Sequence, residues 1–134
     1  MKVSELSGAM LDYWVAKAEG AEDDDLGWRI TAQGMQVKSR ILDWRMSIYA
    51  PHRRWEQAGP IIEREKIAFY PFDGETDDEN WHATTPLRPI RHAGDAPCWR
   101  GIGPTPLIAA MRAYVASKFG AEVPAHPAAQ QEEG

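Results

Sequence analysis

Residues 105–120, TPLIAAMRAYVASKFG, constrain this chain more than any other stretch. Thr105 is a good N-cap, because its hydroxyl can accept from an otherwise unpaired N–H of the first turn. Pro106 suits the first helical position, where its missing donor costs nothing. Gly120 can adopt the left-handed conformation that closes a helix, and Lys118 places a cation in the last turn. Leu107, Ile108, Met111, Tyr114, Val115 and Phe119 recur at helical spacing on one broad face. That face has to be covered, and the rest of the chain must cover it.

A second helix is predicted from Gly8 to Glu19. Ser7 stands at its cap, Leu6 and Leu11 have the spacing of a hydrophobic staple, and Gly20 ends it. Met10, Leu11, Trp14, Val15 and Ala18 form its apolar stripe, which leaves Asp12, Lys17 and Glu19 to face water. The two helices are expected to pack together. Glu22 to Asp25 is an acidic run that reads as a solvated loop, and Leu26 to Thr31 alternates like a strand, which Gly34 interrupts. Residues 36–50 fit helix and strand about equally, and we read them as irregular with a strand near Met46 to Tyr49.

Residues 49–60, YAPHRRWEQAGP, are rich in turn formers and read as a loop, with Pro60 opening a short helical turn, IIERE. Ile67 to Tyr70 reads as a buried strand. It should pair antiparallel with Asn80 to Thr85 across the acidic loop Asp73 to Asn80. Residues 86–104 carry four prolines and three glycines and read as a long loop, functional or mobile. Beyond Val123 no core-forming pattern remains. These elements predict an α+β fold: two main helices on a small, mainly antiparallel sheet, with long Pro/Gly-rich loops. A single domain over 1–123 and a disordered tail over 124–134 are expected.

Composition narrows the functional classes. The net charge is −5, which disfavours broad nucleic-acid binding. The one basic cluster is Lys38, Arg40, Arg45, Arg53 and Arg54, read as a solvated face with anion or nucleic-acid contact as the sharper alternative. No apolar run reaches membrane-spanning length, and the opening residues MKVSELSG lack the apolar core of a secretory leader. The single Cys98 excludes an internal disulfide and points to the cytoplasm.

The chemical motifs are sparse. The four histidines, His52, His82, His92 and His126, lack metal-ligand spacing, so no metal and no cofactor is expected. His92, Asp95 and Cys98 could be drawn as a nucleophile set, but one Pro/Gly-rich loop offers no scaffold to hold it. Glu63 and Glu65 alternate with Arg64 and Lys66 and read as a charged face. No phosphate loop, dinucleotide glycine pattern or GxSxG is present. The strongest candidate site is the aromatic-and-turn stretch: Tyr49, Pro51, Arg54, Trp55 and Gly59, with Glu63 and Trp81 beside it. The competing reading makes Trp55 a core plug under the sheet.

Three blocks, MKVSELSGAMLDYWVAKAEG, YAPHRRWEQAGPIIERE and GPTPLIAAMRAYVASKFG, resemble the phage NinX-like family in order and spacing. In the middle block Ala58 replaces the first glycine of the family's usual pair, and His52-Arg53-Arg54 stand where small polar residues are commoner. The resemblance implies an accessory phage or prophage protein of the bacterial cytoplasm, and it carries over no catalytic or binding residue. The motif inventory favours a protein-interaction module that contacts a host or phage protein through residues 49–60, with a homodimer also compatible. The alternatives are a small enzyme, with a pocket walled by Trp55, Trp81 and Trp99 and served by His82 or Glu63, or nucleic-acid contact through residues 38–54.

Overall fold

The computed structural model describes residues 1–21, 26–31, 34–37, 48–86, 88–90, 94–96 and 99–124. Among them, three α-helices are present: α1 (Gly8–Ala18), α2 (Trp55–Glu65) and α3 (Pro106–Phe119). Strands β1 (Leu26–Thr31), β2 (Gly34–Val37) and β3 (Ile48–Tyr49) form an antiparallel sheet in that order. Strands β4 (Ala68–Pro71), β5 (Trp81–Thr84) and β8 (Arg100–Gly103) form a second antiparallel sheet, with β5 in the middle. Between β5 and β8 lies a hairpin of β6 (Arg88–Ile90) and β7 (Gly94–Ala96). The α+β architecture is as the sequence predicts.

The last helix is built as its sequence dictates. Thr105 Oγ1 accepts from the Ile108 amide at 3.2 Å, Pro106 is the first helical residue, and Gly120 closes the helix at φ 90°. Its covered surface is wider than the predicted stripe. Ala109, Ala110, Ala113 and Ala116 are buried beside Leu107, Met111, Tyr114 and Val115, while Phe119 is exposed. The alanines matter because α3 lies directly on β8. A Cβ on Gly101 would sit 1.9 Å from the Ala109 carbonyl oxygen and 2.6 Å from the Ala113 nitrogen. Glycine in the strand and alanine on the helix let the two backbones meet.

Residues 86–104 are therefore not one long loop. Gly101 and Gly103 permit close approach of β8 to α3, and β8 completes the sheet. The predicted pairing of β4 with β5 is present in the register Ala68↔Thr84 to Pro71↔Trp81. However, β4 is an exposed edge rather than a buried strand. Only Ile67, just before it, is enclosed.

The first helix also departs from expectation. Residues 9–16 are buried all round, because α3 lies on one side and β1 and β2 on another. Asp12 does not face water: it is fully enclosed. Lys17 is only half-exposed, and the Glu19 side chain retains 15% exposure. Leu6 and Leu11 are both buried, as a staple requires, although the Ser7 hydroxyl makes no capping bond. The segments preceding α1 and following α3 are joined: Val3 N–H donates to Ala121 O, and Met1 and Val123 exchange bonds, each at 2.9 Å.

Residues 49–60 hold the largest correction. They are not loop throughout, since α2 begins at Trp55 and runs through Gly59 and Pro60. Pro60 lacks the N–H that would bond Glu56 O, and a proline disfavours helical backbone at the residue before it through a clash with that residue's Cβ. Gly59 has no Cβ, so the helix passes through the pair. The expected helical turn after Pro60 is the second half of this longer helix. Beyond Pro124 the predicted tail lies outside the described residues, as do Lys38, Arg40, Arg45, His92 and Cys98.

Candidate functional site

The segment joining β3 to α2 is anchored from several sides. Tyr49 and Pro51 are buried, the first at 2% exposure. The Ala50 amide donates to Gln57 Oε1 at 2.6 Å, so a buried side chain of α2 holds the start of its own lead-in. Arg53 and Arg54 amides both return to Ala50 O, at 3.0 and 2.9 Å, which closes a tight turn. Asp12 of α1 completes the anchor. Its Oδ1 accepts from the His52 amide at 3.0 Å, and its Oδ2 lies 2.7 Å from His52 Nδ1. Burial pushes the Asp12 carboxyl above its ordinary value, opposed by the bonds and charge of His52 and by the charge of Arg53.

A second polar cluster pins the far end of α2. Arg64 Nη1 and Nη2 donate to the two carboxylate oxygens of Glu19, at 3.1 and 2.5 Å, and its Nε donates to Glu65 at 2.9 Å. Tyr114 of α3 donates to the same Glu19 carboxylate. Burial and the neighbouring Glu19 raise the Tyr114 phenol well above its usual range, and the carboxylates raise Arg64 likewise. Glu65 also lies 3.9 Å from Lys118. These bonds tie α1, α2 and α3 together, which gives Glu65 a structural place. Glu63 points to solvent.

Between the two anchors α2 presents Trp55, which is 51% exposed and so not the core plug that one reading of the sequence allows. Its ring lies 5.8 Å from that of Phe69 on β4, and Phe69 lies 6.2 Å from Trp81 on β5. The result is an aromatic row from solvent inward, with the outermost ring standing on two rigid elements. Offset and edge contacts of this kind add about 0.5–1.5 kcal/mol per pair beyond area burial.

The seven candidate residues thus divide. Trp55 and Trp81 are joined through Phe69. Arg54 and Gly59 are half-buried beside Trp55, and Glu63 is exposed further along the helix. Tyr49 and Pro51 lie inside and support the segment from below. Burial, and then the charges of Glu19 and Asp12, push the Tyr49 phenol far up. Sequence reasoning missed Asp12, Gln57 and Phe69. Asp12 carried a signal: it is the sole charge in the run GAMLDYWVA.

The tryptophan-walled catalytic pocket is not assembled. Trp81 and Trp99 stand at opposite ends of the β5–β8 pairing, since Trp81 faces Gly103 while the Trp99 carbonyl accepts from Thr85. His82 projects from the other face of the sheet, stacked on Phe72 at 3.9 Å between centroids and beside Tyr70 at 5.7 Å. The Asp12–His52 pair has the form of an oriented imidazole. Among the described residues no group of three potential metal ligands occurs.

The family model described as Bacteriophage P22, NinX covers residues 2–118. No curated protein matches the chain. Among the described residues no helix is long and apolar enough to cross a membrane.

Proposed function

The chain belongs to the bacteriophage P22 NinX family, and from that premise we propose a phage accessory protein that works in the bacterial cytoplasm by binding another protein through the surface around Trp55. The observation that carries this reading is the placement of Trp55. A half-exposed tryptophan standing on a fixed aromatic row offers a large contact area with little left to order on binding. Arg54 and Glu63 provide charged groups near it. Tyr49, Pro51, Gln57 and the Asp12–His52 pair hold the presenting segment in place and do not themselves meet the partner.

The test compares wild type with Trp55→Ala and with Phe119→Ala, a second exposed aromatic, as control. Each is tagged and used to capture proteins from phage-infected cells, with quantitative mass spectrometry of the bound fraction. Trp55→Ala is expected to keep the far-UV spectrum, to lose about 1 kcal/mol of stability through the missing Phe69 contact, and to release a protein that the other two retain. Identical capture by all three chains, or unfolding of Trp55→Ala, rules the reading out.

A further inference from the structure

A cleft of about 360 Å³ runs along the outer edge of β8, at the opposite end of the strand order from β4 and Trp55. Its far wall is the 3-10 turn Val3–Glu5 with its flanking Lys2, joined by Ala121 and Glu122. Trp99, Val3 and Ala116 give it an apolar lining. Its charged lining runs against the balance of the whole molecule. The chain carries a net charge of −5, yet Lys2, Arg100 and Arg112 line this hollow, with Glu122 as the only acid among the described residues.

Arg112 is the group that defines the site. Its Nε donates to Leu6 O at 2.8 Å and its Nη1 to Ile102 O at 2.7 Å, so the guanidinium plane is fixed by two carbonyls. Among the described residues it bonds no carboxylate. The charge is half-buried, which lowers its proton affinity, and the charge of Asp78 on the neighbouring 3-10 turn (Asp77–Glu79) opposes that effect. A fixed, partly desolvated guanidinium with donors to spare favours an anion over water.

The outer edge of a β-strand also invites a peptide, which would continue the sheet. Here that addition is obstructed. In an antiparallel pair alternate residues turn both backbone groups outward. The His82↔Ile102 pair is of that outward kind, because Thr85 and Trp99 form a bonded pair three residues back. The Ile102 carbonyl that an incoming strand needs is already taken by Arg112. The cleft is also closed opposite by Lys2 to Ser4, and its volume lies in the range of small-ligand sites, about 300–1,000 Å³.

We propose that this cleft binds a small organic anion with an apolar, ring-bearing body, its acid group on Arg112 and its body against Trp99 and Val3. The site is separate from the Trp55 surface and stands without it.

The probe is 8-anilinonaphthalene-1-sulfonate, titrated into the full chain and followed by energy transfer from tryptophan. Its uncharged counterpart, N-phenyl-1-naphthylamine, is titrated in parallel. Saturable one-site binding of the sulfonate is expected, with near-UV dichroism unchanged and with the uncharged dye bound at least about tenfold more weakly. Arg112→Met should weaken the sulfonate about tenfold or more, the loss of a charge-assisted hydrogen bond. Arg112 also bonds two carbonyls, so Ala121→Trp, an exposed position that fills the cleft without touching those bonds, is measured beside it. It should abolish binding while the melting temperature holds. Absence of saturable binding overturns the proposal. So does equal affinity for the two dyes, and so does sulfonate binding that survives Ala121→Trp.

Discussion

Removing the Asp12 carboxylate tests how the fold holds its presenting segment. Asp12 has no exposed surface, and both its oxygens are engaged by His52. Asp12→Ala leaves the His52 amide and ring nitrogen without their acceptor. A buried donor left unmatched costs about 1–3 kcal/mol, and deleting one member of a buried pair costs about 3–5 kcal/mol. Release of a desolvated charge offsets part of this, so a loss of about 3 kcal/mol is expected at neutral pH, against the 5–15 kcal/mol typical of a domain. Asp12→Asn keeps an oxygen for the His52 amide and should lose about 1 kcal/mol there, one net hydrogen bond. Its pH dependence is the sharper test. Burial raises the folded-state pKa of Asp12 above the ordinary 3.8, so the folded protein binds this proton more tightly than the unfolded chain does. Stability from this group is therefore complete below that ordinary value and is lost as pH rises through the folded one. Asparagine carries no such proton. The deficit of Asp12→Asn relative to wild type should be largest in acid and shrink toward neutrality, measured by urea unfolding with tryptophan fluorescence across that range. A deficit that grows with pH, or an Asp12→Ala protein as stable as wild type, refutes the reasoning.

Gly101→Ala should destabilise the fold by about 3 kcal/mol, the upper end of ordinary overpacking, because its Cβ meets helix backbone that cannot turn aside; the shift in urea midpoint measures it. Gly59→Ala should fail to deliver the gain of about 1 kcal/mol that alanine ordinarily brings to a helix, yet deliver it in a Pro60→Ala background. Thermal melts of the double-mutant cycle decide whether the glycine is there for the proline that follows it.

What the sequence revealed follows from how each signal arises. The caps of α3 were legible because Thr105, Pro106 and Gly120 act locally, through bonds to backbone within one turn. The β4–β5 pairing was legible because alternation and a connecting loop are also local. Strand β8 was not. Gly101 and Gly103 look like turn residues until α3 is laid across them, and only then does their missing side chain become a packing requirement. The same holds for Asp12. A charge on a helix reads as the wet side, and nothing within α1 announces that His52, forty residues on, will take both its oxygens. Helix α2 was hidden because Gly59-Pro60 is a turn signal in most contexts and a tolerated helical step only when the glycine comes first.

The candidate surface divides in the same way. Trp55 was visible as a large aromatic in a turn-rich stretch, but the groups that fix its position were not, since Asp12 and Phe69 act across distance in the chain and Gln57 acts only once α2 is formed. The physical link between them is short. Two residues separate His52 from Trp55, and the turn at Ala50 lies between the buried Tyr49 and the first residues of α2. A segment held by a buried carboxylate on one side and by a glutamine of its own helix on the other has little freedom left to lose in the contact proposed for Trp55. Ordering an interfacial side chain otherwise costs about 0.5–1.5 kcal/mol. The buried acid gives up its proton-linked stability toward neutral pH, yet it still fixes this segment through His52, which offsets its desolvation where an apolar residue would make no such bond.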